Sequence, residues 1–247
     1  HYAGVACEMD TIMSIASKYN LFVIEDAAQG LMSSYKGQPL GSIGHIGCLS
    51  FHETKNYQCG EGGAILLNDE YFSQRAEIIR EKGTNRSQFI RGMIDKYRWV
   101  DVGSSYLPSE LNAAFLYAQL ETAHKVNEKR LSLWNEYLKQ LFRVSQVDLQ
   151  IMPNELRHNA HIFYIKLKDI NERQRMIEYL KSYKIQSVFH YIPLHKSRKC
   201  SKYNYFHGED RFTTKESERL LRLPIYYDLE IADVKYICSK VKGFFND

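Results

Sequence analysis

Three short pieces of the sequence carry the residue types that imine chemistry needs: Glu25-Asp26-Ala27-Ala28-Gln29, then Ser50-Phe51-His52-Glu53-Thr54-Lys55-Asn56, then Gly60-Glu61-Gly62-Gly63. The first places a carboxylate straight after the apolar run Leu21-Phe22-Val23-Ile24, and the second places a lysine just past the apolar segment Ile46 to Phe51. The third is a glycine cluster, which lets the chain turn back into a run beginning at Ala64. A carboxylate and a lysine at separate strand ends suit pyridoxal 5'-phosphate, which needs an amine for its aldehyde and an anion against its ring nitrogen. The anion keeps that nitrogen protonated and makes the ring an electron sink. At an effective dielectric of about 20, charges roughly 4 Å apart interact by about 4 kcal/mol. That is enough to hold the proton on by up to about three pK units.

The elements that must position these groups follow from hydrophobic period. Residues 10–19 read as a helix with Ile12, Met13, Ile15, Ala16 and Tyr19 on one face and Asp10 able to cap its start. The run Leu21–Ile24 is short and continuous, the pattern of a strand buried on both faces. Further strands are expected from Ile46 to Phe51 and from Ala64 to Leu67. Helix-then-strand alternation predicts a mostly parallel sheet with helices on its faces, and ligands of such sheets sit at the carboxyl ends of the strands, where Asp26 and His52 fall. Residues 70–81 read as a helix stopping near Gly83, residues 84–104 as a long loop, and Pro108 as the start of a long helical stretch to about Leu141. Beyond it come a strand at Ile162 to Leu167, a helix at Glu172 to Tyr183, a strand at Ile185 to His190, an exposed loop at 196–212, and helices at 213–222 and 230–245. The expected organisation is a large domain with a bridging helix over 1–141 and a smaller α+β domain over 142–247.

Composition narrows the function classes. The 247 residues are 44% hydrophobic, enough for a real core, and the formal charge of +4 is spread without a polybasic tract. Nucleic acid and membrane insertion are therefore not expected, and no apolar run approaches the roughly 18 residues that span a bilayer. Five cysteines without a C-x-x-C make a disulfide framework improbable and a reducing cytoplasm the default. His158 and His161 share a helix-like spacing, but no carboxylate or thiol pattern completes a metal site, so no metal is expected. The chain opens directly on His1-Tyr2-Ala3-Gly4, and we expect that an N-terminal portion precedes it in the intact protein.

The three ordered motifs resemble those of the DegT-type sugar aminotransferases, which have the aspartate-aminotransferase fold (fold type I pyridoxal-phosphate enzymes). The likeness continues through Gly103-Ser104-Ser105-Tyr106-Leu107-Pro108-Ser109-Glu110-Leu111-Asn112, through Phe189-His190-Tyr191-Ile192-Pro193-Leu194-His195 and through Leu223-Pro224-Ile225-Tyr226-Tyr227, so it covers essentially the whole chain. It implies an α/β large domain, N-terminally incomplete, followed by the small α+β domain. It also implies that Lys55 forms the imine with the cofactor and then moves the proton. Asp26 would pair with the ring nitrogen, Gln29 would lie near the ring hydroxyl, Ser50 would bond the phosphate, and His52 would lie beside the ring. Ser105 stands where many relatives carry an asparagine that reaches the neighbouring subunit's phosphate; its hydroxyl is shorter. His190, Tyr191 and His195 would line the substrate site. The family's dehydratase branch has histidine in place of the lysine, so Lys55 favours amino transfer. Glu81-Lys82-Gly83-Thr84-Asn85-Arg86-Ser87-Gln88-Phe89 and Phe206-His207-Gly208-Glu209-Asp210-Arg211 resemble the branch that aminates a dTDP-linked 4-keto-6-deoxy sugar, with glutamate as donor. A homodimer with shared active sites is implied as well.

Blander roles stand beside these. Asp26 could be a turn cap, Gln29 a structural amide, Ser50 a strand-end hydroxyl, and His190 and His195 satisfied structural histidines. For the whole chain the alternatives are a non-catalytic truncated remnant of such an enzyme, or an aminotransferase for a 3-keto or other nucleotide-linked sugar.

Overall fold

A computed structural model describes residues 1–198 and 206–246. In chain order its elements are α1 (Met9–Tyr19), β1 (Ile24–Asp26), β2 (Ser34–Tyr35), β3 (Gln38–Pro39), β4 (Ile46–Ser50), β5 (Gly63–Leu67), α2 (Ser73–Arg80), α3 (Arg86–Ile90), α4 (Glu110–Glu121), α5 (Ala123–Leu141), β6 (Asp148–Leu149), β7 (Leu156–Arg157), β8 (Phe163–Lys166), α6 (Ile170–Ser182), β9 (Val188–Phe189), α7 (Thr213–Arg219), β10 (Leu220–Leu223) and α8 (Ile231–Gly243). They divide into two compact units, one of residues 1–124 with 154–159 and one of residues 125–153 with 160–247.

The first unit is built on a sheet of order β1-β4-β5. β1 runs parallel to β4, with Asp26 opposite Cys48, and β4 runs antiparallel to β5, with Ser50 opposite Gly63. The sheet is thus half parallel where the alternation predicted a mostly parallel one. The reason is local: the connection 51–62 folds back on itself as a hairpin, with Phe51 N on Gly62 O and Glu53 N on Gly60 O, so the chain reverses instead of crossing over through a helix. Between β1 and β4 lies the hairpin β2–β3, turned through Lys36 and Gly37, both at positive φ as such two-residue turns require. β7 adds to β2 to complete a second small sheet.

Several boundaries depart from the sequence reading. Asp10 does not cap α1; its carboxylate takes Lys36 Nζ at 2.6 Å instead. The apolar run at 21–24 is not buried on both faces: Leu21 and Phe22 precede β1, which starts only at Ile24, and all three are more than half exposed because no described element covers them. The expected loop at 84–104 contains α3 and a bridge between Thr84 and Trp99. Pro108 precedes the helix rather than opening it; Ser109 is the cap, its Oγ accepting from Asn112 N at 3.2 Å. The long stretch then breaks at Thr122 into α4 and α5.

The second unit carries an antiparallel sheet of order β6-β8-β10-β9. β10 falls where a helix was expected to run on to residue 222. Leu221 and Leu223 alternate inward with Leu220 and Arg222, a period of two that pairing with β8 and β9 on both sides enforces. Leu133, Tyr137 and Leu141 of α5, Phe163 and Ile165 of β8, Met176 and Leu180 of α6, Leu221 of β10 and Val234 and Val241 of α8 are all wholly buried in one apolar cluster. Tyr137 stacks on Phe163 with ring centroids 4.7 Å apart. α6 begins at Asp169, whose side chain accepts from Glu172 N at 2.8 Å while Glu172 Oε2 accepts from Lys168 N at 2.9 Å. Arg130, buried on α5, donates to the carbonyls of Ala160 (3.2 Å), His161 (2.7 Å) and Ile225 (3.2 Å). Most of the expected loop at 196–212 is irregular where it is described, and residues 199–205 lie outside the described residues. No helix among the described residues is long and apolar enough to cross a membrane.

Candidate active site

Parallel pairing brings the carboxyl ends of β1 and β4 to one edge of the sheet, so Asp26 closes one strand beside the other, whose end is Ser50. β4 leads into turns that hold Lys55. Glu53 N donates to Gly60 O at 2.8 Å, Lys55 N to His52 O at 2.9 Å, and Phe51 N to Gly62 O at 2.8 Å. Beneath them Tyr57 is buried and its hydroxyl donates to Ala123 O at 2.9 Å. The His52 ring lies 2.9 Å from Thr54 Oγ1 and 3.6 Å from Glu61 Oε1. Lys55 is half-buried, and its amine has no ion-pair or hydrogen-bond partner among the described residues.

The adjacent carboxylates Glu25 and Asp26 have opposite environments because successive strand residues face opposite sides. Glu25 is 3% exposed. Its oxygens accept from Gly41 N (2.8 Å), Ile43 N (2.6 Å) and Gly44 N (2.5 Å), and the His1 ring nitrogen lies 2.8 Å away. Asn68 holds the same loop from its other side, donating to Gly41 O at 2.9 Å and Gly44 O at 2.8 Å. Gly47 must lack a side chain here, since a Cβ would collide with the Gly41 carbonyl. Asp26 is exposed, and its carboxylate accepts one bond, from Ala28 N at 3.1 Å. The Cys48 thiol opposite it is pushed up by burial, with the Asp26 charge adding to the effect. Glu25 is therefore an anchor of the strand, while Asp26 has a carboxylate oxygen with no hydrogen-bond partner among the described residues.

Gln29 spends its side-chain oxygen on Ala3 N at 2.6 Å, and Ser50 Oγ accepts from His52 N at 3.3 Å. Sequence reasoning missed Asn159, which donates to the carbonyls of Gln29 and Leu31, both at 2.8 Å, and whose own carbonyl accepts from Asn56 Nδ2 at 3.1 Å. Nothing in the spacing of residues 130 positions apart could have signalled it. Asp26, Ser50, His52, Lys55 and Gln29 are thus on connected segments of one unit. Ser105 is exposed, bridged to Glu81 after α2, and no contact joins it to that group among the described residues.

His190, Tyr191 and His195 belong to the second unit, just past β9. The rings of His190 and Tyr191 are 5.8 Å apart, the Arg222 guanidinium lies over Tyr191 at 5.2 Å, and burial followed by the Arg222 charge lowers the His190 pKa. His195 Nε2 lies 2.8 Å from Asp210 Oδ2, and its ring is 4.5 Å from that of Phe206. Thr214 also donates to Asp210, through its hydroxyl and through its N–H at 3.2 Å. The Asp210 carboxyl is held down to about 2, chiefly by the Thr214 hydroxyl.

The donor set of the first unit fits pyridoxal 5'-phosphate. It holds an unpaired amine, a carboxylate with a spare oxygen at a neighbouring strand end, and a strand-end hydroxyl. The chain is 31% identical over 255 residues to the uncharacterized protein MJ1066 of Methanocaldococcus jannaschii, covering all of this chain and 66% of that one. An aminotransferase of the DegT DnrJ EryC1 StrS type from Brucella abortus superposes with a TM-score of 0.85 at 25% identity, over 100% of this chain and 63% of that one. A putative sugar aminotransferase, Spr1654 from Streptococcus pneumoniae, is known in its PLP-form and superposes with a TM-score of 0.85 at 20% identity, over 99% of this chain and 67% of that one. The chain thus spans about two-thirds of the length of the proteins it matches. The model of the DegT/DnrJ/EryC1/StrS aminotransferase family matches residues 1–242, and the chain belongs to that family.

Proposed function

We propose that the intact protein transfers an amino group from glutamate to the keto carbon of a dTDP-linked 4-keto-6-deoxy sugar, in the cytoplasm, as a precursor step for cell-surface polysaccharide. The product would be a dTDP-4-amino-4,6-dideoxy sugar of the galactose type, as in enterobacterial common antigen. The observation that carries the reading is the parallel pairing of β1 with β4, with Asp26 ending one strand and Lys55 in the turns after the other.

When bound, the cofactor supplies an aldehyde that accepts an amine and a ring that withdraws electrons. Lys55 would hold that aldehyde, release it to the donor, and carry a proton between the amino-bearing carbon and the cofactor. Asp26 would keep the ring nitrogen protonated. Ser50 would donate to the phosphate, with Ser105 of a second copy doing the same across a dimer. Gln29 and His52 would border the ring. His190, Tyr191 and His195 would line the space for the sugar nucleotide, with the Asp210 contact setting the orientation of the His195 ring.

The test is an assay with glutamate and dTDP-4-keto-6-deoxyglucose, with the amino sugar identified by nuclear magnetic resonance. A 4-amino product that Lys55→Ala abolishes supports the reading. A 3-amino product, or turnover that survives Lys55→Ala, contradicts it.

A further inference from the structure

Asn159 is 2% exposed and sits immediately before Ala160, which has a positive φ of 50°. Its side-chain amide divides its two N–H groups between the carbonyls of Gln29 and Leu31, each at 2.8 Å. Its backbone carbonyl takes Asn56 Nδ2 at 3.1 Å. Gln29 lies three residues past Asp26, and Asn56 is the residue after Lys55. One buried residue is therefore bonded to both segments that carry the proposed cofactor contacts. The segment after Asp26 is itself compact, with Ala27 N on Cys48 O at 2.9 Å, Gly30 N on Ala27 O at 2.8 Å and Ser33 N on Gly30 O at 2.8 Å. The segment at Lys55 is closed by its own turn onto His52. Each is locally stiff, so a bond between them fixes their separation rather than merely tidying a loop.

We propose that Asn159 is a positioning residue: it sets the spacing between the Asp26–Leu31 and Lys55–Asn56 segments, and so the distance between the carboxylate and the amine. The inference rests on the functional reading above for its consequence, though not for the coupling itself. An amide is required because both of its targets are carbonyl oxygens. A carboxylate in its place would point oxygen at oxygen, and an alanine would leave two carbonyls short of donors.

Two measurements on the 247-residue protein test this. The first is amide hydrogen exchange without cofactor, comparing the native sequence with Asn159→Asp and Asn56→Ala. Exchange over 27–31 and over 52–57 should rise together in both variants, by about tenfold in Asn159→Asp and about threefold in Asn56→Ala, while β4–β5 amides stay unchanged. A rise confined to one segment overturns the coupling. The second is titration with pyridoxal 5'-phosphate, read by the absorbance of lysine-linked cofactor and by peptide mapping after borohydride reduction. Half-saturation should rise about tenfold in Asn159→Asp and about threefold in Asn56→Ala, and the pH at which the band titrates should move. Unchanged values in folded variants overturn the positioning role. If the native protein never links cofactor to Lys55, the functional reading fails, and the exchange data still decide the coupling. If Asn159→Asp does not fold, Asn56→Ala, which leaves the buried amide in place, decides both.

Discussion

The two units are held together by different physics. In the second, nineteen buried apolar side chains among the described residues form one cluster, whereas the sheet of the first rests on a buried cluster of four, Met9, Ala27, Tyr35 and Leu40. Ile24, Ile65, Leu111 and Tyr117 of the first unit are each more than half exposed. What fixes its backbone is a set of polar side chains clasping loops: the buried Glu25 on three N–H groups, the more exposed Asn68 on two carbonyls, and the buried Asn159 on two more. An apolar core tolerates small rearrangement, since swaps of similar volume cost little. A buried polar clasp has no near-equivalent substitute, since each lost partner leaves a desolvated group. The unit bearing the lysine and carboxylate is thus the one whose geometry is set by hydrogen bonds.

The contrast can be broken by mutation. Phe163→Ala should cost about 3–5 kcal/mol, lowering the urea midpoint of the second unit, because the ring is wholly buried against Tyr137 and Trp134. Glu25→Leu should cost about 2–4 kcal/mol in the first unit despite adding an apolar group, since three buried N–H groups lose their acceptor. If Glu25→Leu is neutral or stabilising by the same urea measurement, the polar account of the first unit is wrong. Thiol labelling sharpens the comparison. Cys7 is exposed and should react at once. Cys238, buried in the second cluster and pushed up to about 12 by desolvation, should react only as fast as that unit opens.

The smallest effect concerns pH. Asp210 is held down to about 2 by Thr214 and then His195, below the ordinary carboxylate value. A depressed carboxylate stabilises the fold above its unfolded pKa of about 3.9 and loses that contribution as the pH falls towards 2. Asp210→Asn should therefore lower the melting temperature of the second unit slightly at pH 6 and by much less at pH 2. A difference that persists unchanged to pH 2 would mean that charge is not what Asp210 contributes.

Much of this was legible in the residues. Lys55 and Asp26 stand out because strand, polar residue and glycine follow one another in order, and α1, β4, β5, α6 and α8 follow from period alone. The strand β10 was not legible, because Leu220, Leu221 and Leu223 directly follow the polar run Glu216 to Arg219 and their i, i+1, i+3 spacing also fits one helix face; only the pairing with β8 and β9 decides. The burial of Leu21–Ile24 was misjudged since a continuous apolar run reports hydrophobicity and not what packs over it. The clasps of Glu25 and Asn159 were invisible for a third reason: they join side chains to backbone groups distant in sequence, and backbone groups carry no sequence signature.

The most direct test is chemical. The protein is incubated with pyridoxal 5'-phosphate, reduced with borohydride, digested, and the modified peptide is identified, in parallel with Asp26→Ala. The account predicts that Lys55 is the dominant labelled lysine and that Asp26→Ala moves the absorbance band of the linked cofactor. Label spread evenly over surface lysines, with Lys55 no more reactive than Lys82 or Lys96, would contradict it.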